Sequence, residues 1–198
     1  ILGKDGKTHG QDPKRNERDL VMKVSEALKK ELENRGYTVY ITRTSENYVK
    51  HDKSVKRELD DRVLFSARVQ PDYYLSIHAD GGVTGKESGS HAVYRTQGVD
   101  KARVPGLVEL AEDIMSNYKI VPVQAGSPKI DNKLRVLAAD NRARRSVLVE
   151  LGFGSSAGDW DTLNKGAAQA AAQLAMGLDV NIERHRAEFN SVERAQPF

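Results

Sequence analysis

Two ionisable residues stand where apolar runs ought to exclude them. His78 follows the segment Asp72–Ile77 (DYYLSI), and Glu150 lies near the end of Ser146–Leu151 (SVLVEL). Burying either group is costly unless it finds a partner, so each marks a place where a partner is expected. Both close candidate strands, and in open α/β sheets the carboxyl ends of the strands form the ligand crevice. The pattern therefore predicts that they meet on one rim of a sheet despite their separation in sequence. Glu17 stands at the mouth of the first predicted helix, and a helix entered from a preceding strand begins on that same rim. The chain has no cysteine, which removes disulfides, thiolate metal knots and a thiol nucleophile, and leaves any metal to His, Asp and Glu. A His and Glu cluster suits zinc, which when catalytic keeps one position open for water and lowers that water's pKa toward neutrality. A neighbouring carboxylate then takes the proton, so the reaction class is metal-assisted hydrolysis. Taken singly, each residue has a plainer explanation: a strand-end His is commonly just hydrogen bonded, and a Glu in a strand commonly sits on an edge. No phosphate-binding glycine loop and no serine-hydrolase elbow competes with this reading.

The elements that must position these groups are legible in part. Leu20, Val21, Val24, Ala27, Leu28 and Leu32 recur at steps of three and four, predicting a helix over 18–35 with Asn16 as its N-cap and Gly36 as its left-handed stop. Tyr37–Arg43 (YTVYITR) is β-branched and aromatic and reads as a strand. After a polar loop over Ser45–Lys56, Leu59, Val63, Leu64 and Ala67 give a second helical face, stopped by Pro71. Further strands are expected at Asp72–Ile77, Ser90–Arg95, Lys133–Leu137 and Ser146–Leu151, the last continuous enough to be central and buried. Helices are expected at Leu107–Tyr118 and Ala167–Leu178, and Val121–Asn132, rich in Pro and Gly, reads as a surface loop. Alternating helices and strands imply a single α/β domain, a mostly parallel central sheet with helices on both faces.

Composition sets the outer bounds. At 198 residues the chain holds one ordinary domain, and no apolar run reaches bilayer length. Its 31 Lys and Arg against 28 Asp and Glu leave a charge of +3, which demands no nucleic-acid partner. The chain opens at Ile1 without Met or a signal-type core, and is read as a mature form or an excised fragment.

In combination the motifs resemble a known family. Glu17 in NERDL, Thr42 and Arg43 in ITRT, His78 in YLSIHAD, and Glu150 in VLVELGFGSS with Asp159 and Leu163 beyond it are similar, in order and spacing, to the zinc-dependent N-acetylmuramoyl-L-alanine amidases of type 3. The resemblance runs from about Asn16 to Leu178. It implies a catalytic domain over 1–180, and the charged composition beyond it reads as a helical tail over 181–198. It implies zinc held by Glu17, His78 and an earlier His from a GHGG-like turn, with Glu150 as the catalytic carboxylate. His9, in HGQDP, resembles that turn with one residue missing. ILGKDGKT before it is not an apolar strand, however, and the alternative is that the first strand and its His lie upstream of Ile1. The implied substrate is peptidoglycan, cut between N-acetylmuramic acid and the L-alanine of the stem peptide, outside the cytoplasmic membrane. The rival reading is a catalytically silent amidase-like scaffold that binds wall fragments or another protein.

The remaining candidates are read as structural. His51, His91 and His185 are expected in solvated positions, Arg43 and Arg62 in ordinary ion pairs, and the basic run Asn141–Arg145 (NRARR) in a solvated loop. The stretch between His78 and Glu150 holds one clear helix, so no dedicated plug over the cleft is expected, and the sequence identifies no activating protein.

Overall fold

The computed structural model describes residues 16–42 and 55–187. Helix α1 (Glu17–Asn34) starts and stops where its sequence says it should. Asn16 Oδ1 accepts from the Arg18 N–H, and Glu17 and Asp19 place negative charge in the first turn, against the positive end of the helix dipole. At the other end Gly36, at φ +87°, lets its own N–H reach the Glu33 carbonyl and the Tyr37 N–H reach that of Leu32. These are the two bonds of a Schellman stop, which an L side chain at Gly36 would strain.

Helix α2 (Val55–Val69) precedes β1 (Tyr73–Asp80), β2 (His91–Tyr94), α3 (Val104–Asn117) and the two-residue β3 (Lys129–Ile130). Then come β4 (Arg145–Phe153), α4 (Ala157–Lys165) and α5 (Ala167–Arg184). The sheet order is β1-β4-β2-β3. β4 runs parallel to β1 and β2 parallel to β3, while β2 meets β4 antiparallel.

β4 is central because both its faces are apolar. Val147, Val149 and Leu151 are buried in the larger core, with Leu20, Val24 and Leu28 of α1, Leu110 and Ile114 of α3, and the small-residue face of α5. Each such burial contributes about 1.5–3 kcal/mol. Leu148 faces the other way, into a smaller cluster with Val93, Val136, Leu137, Leu59 of α2 and Tyr74. Helices thus cover both faces of one α/β domain, as the alternating pattern predicts. No helix among the described residues is long and apolar enough to cross a membrane.

Several local expectations are corrected. The described part of Tyr37–Arg43 alternates between half-buried and exposed positions as a strand would, yet it joins no ladder among the described residues. Its alternation comes from Tyr37 and Val39 packing on the main core, with the Tyr37 hydroxyl donating to Asp179. Arg43 itself lies outside the described residues. Lys133–Leu137 is not a strand: Arg135–Leu137 forms a 3-10 turn, because Val136 and Leu137 both turn into the smaller core while Arg135 pairs with Asp60 and Asp140. The Val121–Asn132 loop contains β3 and the Ser90–Val123 bridge, and Val121 is buried. The helix expected after Lys56 starts at Val55, and α4 had no counterpart in the periodicity.

Part of the basic run is built into the fold, while Arg142 stays exposed. Asn141 is buried, accepting from Ser66 Oγ and donating to the Val136 carbonyl, and Arg145 is buried as the first residue of β4.

Candidate active site

Because β1 and β4 are parallel, their carboxyl ends share one rim, and the register pairs His78 directly with Glu150. Because β2 is antiparallel to β4, its amino end reaches the same rim and pairs His91 with Glu150 from the other side. Side chains directly opposite on neighbouring strands project from the same face. His78, Glu150 and His91 therefore form one row across three strands, on the face of Leu148 and Val93.

The row ends in a register shift. His78 pairs with Glu150, but Asp80 pairs with Phe153, so β4 spends one extra residue there. The local backbone is well supplied with partners. The Tyr118 hydroxyl donates to the Leu151 carbonyl at 3.0 Å, and the Gly154 N–H donates to the Asp80 carbonyl at 2.8 Å. Asp159, 5% exposed, accepts from the Phe153 N–H, the Gly89 N–H and Ser88 Oγ, tying the end of β4 to the loop before β2. Gly152 lets Asp159 in, since a Cβ there would stand 3.1 Å from its carboxylate.

Glu17 reaches the rim from the first turn of α1. Its Oε1 lies 3.1 Å from His78 Nδ1 and accepts the Ala79 N–H at 3.3 Å. On the other side of the ring, Ser76 Oγ lies 3.1 Å from His78 Nε2. Burial works to raise the Glu17 pKa, but the hydrogen bond and charge of His78 and the Ala79 N–H outweigh it, and the net shift is downward. Glu150 has the opposite fate: burial, then the charges of Asp80 and Glu17, push its pKa up to about 8, with Lys129 opposing. Its Oε2 is buried without a hydrogen-bond partner among the described residues.

The three described residues singled out from the sequence thus come together. His9 and His51 lie outside the described residues. His91 corrects its expectation: it is 6% exposed rather than solvated, its Nδ1 is buried without a partner, and its Nε2 lies 3.9 Å from Asp80 Oδ2. Carboxyl ends of strands mark the rim only for parallel strands, and the antiparallel β2 brings its amino end there. The available signal was a His directly before Ala92 and Val93 in a strand buried on both faces. His185 is also not solvated, lying 2.7 Å from Glu109 of α3.

Among the described residues no group of three or more His, Asp or Glu is placed to hold a metal ion. The pair that is present fits zinc by its chemistry and spacing. One imidazole nitrogen and one carboxylate oxygen stand 3.1 Å apart, and two donors at zinc's usual bond lengths on a tetrahedral ion lie about 3.3 Å apart.

The family model for N-acetylmuramoyl-L-alanine amidase matches residues 2–179, and the chain belongs to that family. It is 30% identical over 163 residues to a probable cell wall amidase, LytH, of Staphylococcus saprophyticus, a match covering 82% of this chain and 47% of that protein. The chain therefore spans about half the length of the curated relative. Among solved structures it is similar to the CwlD amidase of Clostridioides difficile in complex with the GerS lipoprotein, with a TM-score of 0.74 at 20% identity over 93% of this chain and 91% of that one. The Mycobacterium smegmatis amidase Ami1 gives 0.72 at 19%, over 93% and 81%. These likenesses show a shared fold.

Proposed function

We propose that the protein is a zinc-dependent peptidoglycan hydrolase, cleaving the amide between the lactyl group of N-acetylmuramic acid and the L-alanine of the stem peptide, outside the cytoplasmic membrane. One observation carries the reading. The zinc-compatible pair Glu17–His78 lies beside a buried carboxylate, Glu150, that the β1–β4 register fixes next to His78. Family membership and the cell-wall relative support the substrate class.

In this reading Glu17 and His78 hold the ion, with His9 or a His upstream of Ile1 as the third donor. Zinc, when bound, polarises the amide carbonyl and acidifies water. Glu17, already held anionic by its hydrogen bonds, needs no deprotonation to serve as a donor. Glu150 accepts the proton of the attacking water and returns it to the departing nitrogen, and its burial strengthens both transfers. Residues 1–180 act as the catalytic domain, and the charged residues 181–198 follow it.

Glu150→Gln tests the assignment, because the substitution keeps shape and removes the proton acceptor. Release of muramyl peptides from purified wall should fall by about 10²–10⁴-fold. Zinc content, by metal analysis, and the thermal transition of the loaded protein should stay as in the wild type. Undiminished release removes Glu150 from the base role. A wild-type chain that neither retains zinc nor releases peptide supports the scaffold reading instead.

A further inference from the structure

Resting on that hydrolase reading, we propose that His91 is a second catalytic residue, whose Nδ1 accepts a hydrogen bond from the departing alanine nitrogen on the side of Glu150 away from His78. The geometry has direction. Neighbouring strands are about 4.8 Å apart, so the row places His78 one strand to one side of Glu150 and His91 one strand to the other. The two described candidate donors, His78 and Glu17, are on the His78 side, and the carbonyl end of a bound amide belongs there. Its nitrogen end then falls toward His91.

The polar accounting agrees. Buried polar atoms in native proteins are almost always hydrogen bonded. Yet His91 Nδ1 and Glu150 Oε2, on one face of paired residues, both lack partners among the described residues. Asp80, which can only accept, faces His91 Nε2 and favours the proton there, leaving Nδ1 as a lone-pair acceptor. Burial and then Lys129 keep the ring neutral against the pull of Asp80. Two buried polar atoms without partners, on residues paired across the strands, call for a ligand group that meets both. A departing nitrogen that takes a proton from Glu150 and gives an N–H to His91 is such a group.

The step balances. Water oxygen bonds to the lactyl carbonyl carbon and its proton passes to Glu150. The C–N bond then breaks, the electron pair stays on nitrogen, and Glu150 returns the proton to it. The products are a carboxyl group and the free α-amine, one of whose N–H groups is held by His91 Nδ1. Proton count and charge are unchanged at His91, which neither gains nor loses a proton.

The test uses the full-length zinc-loaded protein and a muramyl tripeptide, beside an analogue with an ester oxygen in place of the scissile N–H. His91→Ala should lower kcat on the amide by about 10- to 100-fold, with KM and zinc content near wild type. On the ester, whose leaving group offers no N–H before cleavage, the same variant should lose far less. His91→Asn, which keeps an acceptor near the Nδ1 position, should recover part of the amide rate, and it carries the test if the alanine variant does not fold. Equal losses on amide and ester, or a variant as fast as wild type on the amide, overturn the assignment while leaving the hydrolase reading intact. A wild-type enzyme that is zinc-loaded but inert on both substrates overturns both.

Discussion

Two buried polar clusters in this molecule are built from similar groups and left in opposite states. Asp113 of α3 accepts from Asn181 and Arg184 of α5 at 2.9 Å each, and the Asn181 oxygen accepts the Tyr73 hydroxyl at 3.1 Å. Its hydrogen bonds join two helices to β1. On the rim, Glu150 and His91 keep buried atoms with no partner. A completed network fixes elements in place, whereas an incomplete one is stable only because its neighbours are held by other means, here Asp159 and the Tyr118 hydroxyl. The contrast separates polar groups that hold the fold from polar groups that await a ligand.

The two clusters should differ most at the ion-binding end. His78→Ala should leave the protein folded but unable to retain zinc through gel filtration, with no wall peptide released; stoichiometric metal in that variant would show that His78 is not a donor. Asp113→Ala should do the reverse. Leaving Asn181 and Arg184 without their acceptor should cost about 2–3 kcal/mol by urea titration, while turnover per folded molecule is unchanged. A loss of turnover at constant stability would erase the distinction.

Per pH unit, the gentlest effect is the dependence of metal-free stability on pH. Glu150 binds its proton more tightly folded than unfolded, so it stabilises the fold fully below its ordinary value of 4.5 and that stability is lost as pH rises toward about 8. The contribution to the slope is at most about 1.4 kcal/mol per pH unit. Denaturation midpoints across that window should flatten in Glu150→Gln, and an identical slope in both proteins would place the titration elsewhere.

Much of this was written locally and some was not. The caps of α1 are spelled by Asn16 and Gly36, and the unbroken apolar run around Glu150 marks a central strand, so the meeting of Glu17, His78 and Glu150 follows from parallel strands sharing an end. His91 could not be placed that way, because its arrival depends on β2 running antiparallel, a choice made by tertiary packing rather than by the residues of β2. The same holds for Lys133–Leu137, whose β-branched and apolar residues fit a strand until the smaller core draws both Val136 and Leu137 to one side. Short elements answer to their neighbours, long ones to their own pattern.

Glu17 is the first residue of an 18-residue helix, and that position carries a mechanical consequence. Such a rod is about 27 Å long, so a tilt of only one degree about its far end swings the tip by about 0.5 Å. Metal–donor bond lengths are held to about 0.2 Å. The far end is clamped by Arg35 and Tyr37 onto Asp179 of α5, and the rod packs against α5, whose buried residues are largely alanine. Fine alignment at the tip therefore depends on how that distant clamp holds the rod, far from any reacting atom.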